Sequence, residues 1–283
     1  MATVTRAVPR SHLRRVALTR RPALGGGRFV GHREERDRVN IETAQATRLG
    51  NRRENQDRAA ILIGDTRVLL IVADGMGGHS DGAAAAQTAV DSLSRSFKAL
   101  RGGKSTAEFL ADALIDAHRA VYELGAKQPI AKRPRTTCTI CLVDEGVAQW
   151  AHVGDSRVYW LRGDSVAART RDHSAVEALY QAGEISDDDM QTHPLRNYVE
   201  ECLGGEPSEP RFTIAQPVEL GSGDIMLLCS DGLWSALGEA EIIKQLRAEP
   251  ELENALEAVT RRAEAKTQPA SDNVTAAALR WGV

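Results

Sequence analysis

Five aspartates stand at the ends of strand-like runs, three of them beside glycine. Leu69-Leu70-Ile71-Val72-Ala73 leads into Asp74-Gly75-Met76-Gly77-Gly78-His79. Trp150-Ala151-His152-Val153 leads into Gly154-Asp155-Ser156-Arg157, and Ile225-Met226-Leu227-Leu228-Cys229 into Ser230-Asp231-Gly232. Asp57 stands just before the first such run and Asp272 just before the last. A strand end holds a carboxylate rigidly, and a following glycine admits close approach of backbone or ligand. Any one Asp-Gly pair reads as a simple turn; the repetition is the signal. Five converging carboxylates repel one another unless cations lie between them. Oxygen ligands without accompanying Cys or His suit Mg²⁺ or Mn²⁺. Two such ions sharing a water lower its pKa and make it a nucleophile.

The elements that must position these acids follow from periodicity. Residues 59–63 and 67–72 are β-branched runs separated by Gly64-Asp65, a hairpin-like pair. Residues 82–100 read as an Ala-rich helix. Ser105-Thr106-Ala107-Glu108 has the spacing of a capping box. Behind it Leu110, Leu114, Ala117, Val121 and Leu124 form one apolar stripe of a second helix. Residues 136–143, 147–153, 157–161 and 165–170 read as a strand meander, with turns at Glu145-Gly146 and Arg162-Gly163-Asp164. Residues 174–204 are polar, suiting short helices and a mobile loop. Strands at 212–218 and 224–229, a helix at 251–265 with Leu252, Leu256 and Val259 inward, and a strand at 273–279 complete the reading. Helices packed on antiparallel sheets make an α+β layering.

Composition narrows the function. The chain has 283 residues, 42% hydrophobic and 27% charged, an ordinary globular composition. No run approaches the length of a membrane-spanning helix. Four cysteines are too few for a disulfide scaffold, which points to a reducing compartment and a cytoplasmic protein. Cys138 and Cys141 form a CxxC, but on a strand they face opposite sides, and no second pair accompanies them, so zinc is not expected. Residues 1–38 carry ten arginines against three acids, a balance of +7; the rest carries 26 bases against 36 acids, or −10. Residues 1–40, with Pro9, Pro22 and Gly25-Gly26-Gly27, read as a disordered basic extension, leaving 41–283 as the folded domain. An acidic body argues against a nucleic-acid-binding fold.

Arg52-Arg53-Glu54-Asn55-Gln56-Asp57, Asp74-Gly75-Met76-Gly77-Gly78-His79, Gly154-Asp155-Ser156-Arg157, Ser230-Asp231-Gly232-Leu233-Trp234 and Asp272-Asn273-Val274-Thr275 occur in that order. Together they resemble bacterial-type members of the metal-dependent type 2C protein serine/threonine phosphatases, over roughly residues 42–281. Asp172-His173-Ser174 and His193-Pro194-Leu195-Arg196-Asn197 look like the segments that bracket the family's mobile flap.

The resemblance implies two antiparallel sheets packed face to face, with helix pairs on both outer faces. It implies a binuclear Mn²⁺/Mg²⁺ centre whose shared hydroxide attacks phosphoserine and phosphothreonine. Asp74 matches the bridging ligand, Gly75 a carbonyl ligand, and Asp231 and Asp272 the remaining ligands of the first ion. Asp57 matches the acid near the second ion. Asp155, with Asp231, matches the position of a third, weaker ion. Arg52 matches the arginine that grips phosphate, with Arg53 a neighbouring competitor. His79 stands either to protonate the leaving oxygen or to cap a turn. Gln56, Arg135 and Ala83 depart from the family's usual glutamate, glycine and glutamate. The implied partners are phosphorylated proteins made by a Ser/Thr kinase, acted on by a monomer. Two other classes stay open: a regulatory phosphoprotein-binding module with weakened catalysis, and a metal-dependent nuclease anchored by the basic extension.

Overall fold

The structure, a computed structural model, describes residues 14–19, 38–76, 81–190 and 192–283. In chain order its strands and helices are β1 (Arg14–Thr19), β2 (Arg38–Arg48), β3 (Asp57–Ile63), β4 (Arg67–Met76), α1 (Asp81–Ala99), α2 (Thr106–Gly125), β5 (Arg135–Thr136), β6 (Cys138–Asp144), β7 (Val147–Val153), β8 (Arg157–Arg162) and β9 (Ser165–Arg169). Then follow α3 (Ala175–Gln181), α4 (Asp187–Met190), β10 (Leu203–Gly204), β11 (Thr213–Ile214), β12 (Val218–Glu219), β13 (Ile225–Cys229), α5 (Asp231–Trp234), α6 (Glu239–Ala248), α7 (Leu252–Thr267) and β14 (Val274–Trp281).

The strands form two antiparallel sheets. One runs β1-β2-β14-β13-β8-β9; the other runs β10-β5-β4-β6-β7-β11, with β3 on β4 and β12 on β7. Alternation along each strand decides what fills the space between them. Val68, Leu70 and Val72 of β4 meet Met226 and Leu228 of β13 and Ala277 and Leu279 of β14 in one inter-sheet core. The alternate residues of β4, Leu69, Ile71 and Ala73, face outward onto α1 and α2. Leu227 and Cys229 of β13 face outward onto α5, α6 and α7. The result is the expected αββα layering. Cys138 and Cys141 fall in different cores, as a strand requires, and burial pushes the Cys138 thiol up to about 12.

The helices follow their patterns. The capping box at Ser105 and Glu108 is formed in both directions, a motif worth about 1 kcal/mol to a helix start. Leu110, Leu114, Ala117 and Val121 are buried against the sheet, but Leu124 is 45% exposed, because at 3.6 residues per turn the buried stripe passes from Val121 to Gly125.

Five expectations change, the first being the strand expected at 212–218, which is two separate two-residue strands, β11 and β12. The meander splits: β6 and β7 pair in one sheet, β8 and β9 in the other, so the chain crosses between sheets at Gly154-Asp155-Ser156. Short turns gave the same sequence signal for either path. β2 is an eleven-residue strand that the reading overlooked; its Ala, Thr and Gln residues lack a hydrophobic run, yet Ile41, Ala44 and Ala46 are buried. α6 was also overlooked, with Ile242, Ile243 and Leu246 buried. Finally, the extension is not free of structure throughout: β1 pairs with β2 from Arg14↔Thr43 to Thr19↔Arg38, and Leu18 is buried in the inter-sheet core. Residues 1–13 and 20–37 lie outside the described residues.

Candidate metal centre

The two sheets present their strand ends to one another at one edge of the sandwich. In the first, Asp57 opens β3 and pairs directly with Asp74 near the end of β4. Both acids are thus inside the ladder rather than beyond it. In the other sheet, β13 ends at Cys229, Ser230 follows, and Asp231 begins α5. β14 pairs with β13 and begins at Val274, two residues after Asp272. Asp155 sits on the crossover between β7 and β8.

Direct bonds tie these ends together. Ser230 Oγ donates to Asp57 Oδ2 at 2.7 Å, joining the two sheets, and accepts from Thr275 N at 3.0 Å. The backbone of Asp74 is held by the threonine pair: its carbonyl accepts from Thr136 Oγ1 at 2.8 Å and Thr137 N at 2.9 Å, and its N–H donates to Thr137 Oγ1 at 3.3 Å. Thr137 Oγ1 also pairs with Ser156 Oγ at 2.7 Å, next to Asp155. Asn273 holds the loop before β3: its Nδ2 donates to Leu49 O at 2.8 Å and Glu54 O at 3.1 Å, and its Oδ1 accepts from Gln56 N at 2.8 Å. None of Ser230, Asn273, Thr136 or Thr137 was assigned a role in the sequence, although each adjoins a motif residue there. For Ser230 and Asn273 the signal was a hydroxyl or amide next to an acid; Thr136 and Thr137, more than sixty residues from Asp74, had none.

The electrostatics are those of crowded like charges. Burial, then the charges of Asp57, Asp231, Asp155 and Asp272, raise the Asp74 carboxyl well above its usual range. Burial, then Asp155, Asp272 and Asp57, do the same to Asp231. Asp57 is pushed up to about 6, first by burial and then by Asp272, against the Ser230 bond that lowers it. Asp155 is pushed up to about 7 by burial and by Asp172. The charges of the other four predicted aspartates all bear on Asp74. Among the described residues no three acidic, imidazole or thiol side chains are closed into a ready ligand cage.

The residues fit a divalent cation pair. Asp57 Oδ1 is buried without a hydrogen-bond partner, a costly state for a carboxylate oxygen unless a cation meets it. The donor set is oxygen only, which suits Mn²⁺ or Mg²⁺. A Cβ on Gly75 would lie 2.0 Å from Gly82 O, so only glycine lets the backbone sit against the start of α1.

Arg52 lies at the rim. Its Nη2 bonds Asp272 Oδ2 at 2.6 Å, and its side chain is 58% exposed. An exposed pair of this kind is worth about 0–1 kcal/mol, so the guanidinium is free to exchange that carboxylate for another anion. Arg53 is exposed and has no ion-pair partner among the described residues. His79, with Gly77, Gly78 and Ser80, lies outside the described residues. Of the three departures, Ala83 is buried in α1, and Gln56 engages the site through its backbone, accepting from Gly75 N at 3.2 Å. Arg135 turns away to donate to Ile130 O at 3.2 Å.

Comparison with known proteins identifies the family and the fold. Residues 44–279 match the model of a family described as protein phosphatase 2C. The serine/threonine phosphatase stp of Listeria innocua is 31% identical over 228 residues, 79% of this chain and 89% of that protein. The Streptococcus agalactiae serine/threonine phosphatase superposes with a TM-score of 0.77 at 28% identity, covering 85% of this chain and 99% of that one. The catalytic domain of the phosphatase PstP, solved with two manganese ions, gives a TM-score of 0.72 at 28% identity, covering 87% and 99%.

Proposed function

The chain belongs to the protein phosphatase 2C family, and on that footing we propose that it hydrolyses phosphoserine and phosphothreonine in proteins at the aspartate cluster. The observation that carries the assignment is the buried, unpartnered Asp57 Oδ1 amid aspartates that raise one another's pKa. We assign Asp74, Gly75 O, Asp231 and Asp272 as the groups that would hold one Mn²⁺ or Mg²⁺ ion, and Asp57 with Asp74 as those that would hold a second. Asp155, with Asp231, serves a weaker third position. The ions, when bound, supply positive charge for phosphoryl oxygens and lower the pKa of water so that it becomes the nucleophile.

The chain's own residues do the rest. Arg52 moves from Asp272 to the substrate phosphate, where its planar fork matches two phosphate oxygens. Charge that builds on those oxygens during transfer is met by a group already in place. His79 is assigned to give a proton to the departing serine or threonine oxygen. The net change consumes one water and releases orthophosphate and the free hydroxyl, with no phosphoenzyme. We further assign the substrates to a Ser/Thr kinase acting in the same cytoplasm, and the enzyme to a monomer. No described helix is long and apolar enough to cross a membrane.

The test is release of orthophosphate from a phosphothreonine peptide in Mn²⁺ and in EDTA. Metal-dependent turnover supports the assignment. Folded protein that binds the peptide without turnover in Mn²⁺ supports a phosphoprotein-binding module instead.

A further inference from the structure

The turn that carries Asp155 is held by groups outside the ligand set. His173 grips Gly154 twice: its backbone N–H donates to Gly154 O at 2.9 Å, and its Nδ1 accepts from Gly154 N at 3.3 Å. Trp234 Nε1 donates to Asp155 O at 2.9 Å. Gly154 has φ +97°, and a Cβ on it would lie 2.7 Å from Thr137 Cβ, so the turn has little freedom to reshape. Trp234 is itself fixed. The Arg157 guanidinium lies over its ring, 3.5 Å from the centroid. That guanidinium is forked onto Asp172, Nε to Oδ1 at 2.8 Å and Nη2 to Oδ2 at 2.7 Å. The pair is enclosed, with side chains 11% and 2% exposed.

A buried ion pair is a poor source of stability by itself, and its better attested use is to fix an arrangement. Here it fixes the plane of an indole that has one donor only. That donor reaches the carbonyl of the very residue whose carboxylate must be placed. Trp234 also lies three residues from Asp231 on the single turn of α5. One short element thus delivers a carboxylate and the tether of its neighbour.

We infer that Trp234, locked by the Arg157–Asp172 pair, is a positioning residue for the Asp155 carboxylate and sets the affinity of the weakest cation position. The inference rests on the metal assignment above. Nothing in the sequence motifs distinguishes this role for Trp234 from simple packing.

The experiment is calorimetric titration of Mn²⁺ into the full chain, wild type beside Asp155→Asn, Trp234→Phe and Arg157→Lys. Phe keeps an aromatic ring under the guanidinium and removes the donor together with the fused second ring. Lys keeps the charge and loses the fork. Asp155→Asn is expected to remove the weakest position. Trp234→Phe and Arg157→Lys are expected to weaken that position about five- to twenty-fold, a loss of the size that one hydrogen bond can produce, and to leave the tighter positions within about two-fold. Hydrogen exchange of the Trp234 indole N–H, read in EDTA, is expected to be slow in wild type and fast in Arg157→Lys. Wild type that takes up no Mn²⁺ overturns the metal assignment and this inference with it. Asp155→Asn that removes no position leaves Trp234 nothing to place and overturns the inference. A weakest position removed by Asp155→Asn but unchanged in Trp234→Phe overturns the positioning role alone.

Discussion

Asp57 and Asp74 are held by the sheet itself; Asp155 is held by side chains borrowed from elsewhere. The first two are directly paired residues of the β3–β4 ladder, with Ser230 and the Thr136–Thr137 pair securing them from the sides. Asp155 sits on a crossover, and its turn is tied by His173 and Trp234. The difference teaches where an affinity is fixed and where it is adjustable. Ladder positions move only if a core moves. A turn clamped by one histidine and one indole shifts with either clamp.

The widest break in this comparison is at α5. Asp231→Asn is expected to lower kcat/KM for a phosphothreonine peptide about 10³-fold or more, equivalent to about 4 kcal/mol of lost transition-state stabilisation. Circular dichroism should stay native, since α5 and β13 keep their packing. A residual rate within about ten-fold of wild type would remove Asp231 from the ligand set.

Gly75→Ala tests the ladder side. The added methyl meets Gly82 O at 2.0 Å, backbone against backbone. Expected is a destabilisation of about 3 kcal/mol in urea unfolding, from strain where nothing can give. The matching change on the crossover, Trp234→Phe, should cost about 1 kcal/mol. Equal losses would erase the contrast between the two regions.

Protonation sharpens the comparison further. Asp57 is raised to about 6 and Asp155 to about 7, both above the ordinary carboxylate value near 3.8. Between about pH 4 and these values the native chain therefore binds more protons than the unfolded chain, so its stability falls as pH rises. In EDTA, urea midpoints are expected to decline from pH 4.5 to pH 7.5. Mn²⁺ favours the ionised carboxylates and should flatten or reverse that decline. A midpoint in EDTA that rises across this window would contradict the electrostatic reading.

The smallest effects separate the two rim arginines. Arg52→Ala is expected to raise the peptide KM or lower kcat about 10- to 100-fold, in line with loss of a charge-assisted, forked contact. Arg53→Ala, which removes no ion pair among the described residues, is expected to change either constant less than about three-fold. The reverse ranking would move the phosphate grip to Arg53.

The legible parts of the sequence were those with a strong local signal. Apolar runs ending in Asp-Gly marked the strand ends, and the stripe from Leu110 to Val121 marked α2. The ordered motifs carried the family, its layering and its acids. What stayed hidden depended on long-range pairing. A three-residue turn looks alike whether the chain stays in its sheet or crosses to the other, so the split between β7 and β8 was invisible. β2 is buried by neighbours on both sides rather than by its own hydrophobicity, which left its Ala- and Thr-rich sequence mute. The ties from Ser230, Asn273 and Trp234 span 79 to 224 residues and obey no local spacing.

The central claim is that the clustered aspartates are metal ligands with Asp74 shared between two ions. Mn²⁺ titration of wild type and Asp74→Asn, with phosphate release read on the same samples, tests it most directly. The account predicts at least two Mn²⁺ per wild-type chain, the loss of tight binding at both tight positions in Asp74→Asn, and turnover that disappears with them. Full Mn²⁺ stoichiometry and turnover in Asp74→Asn would contradict it.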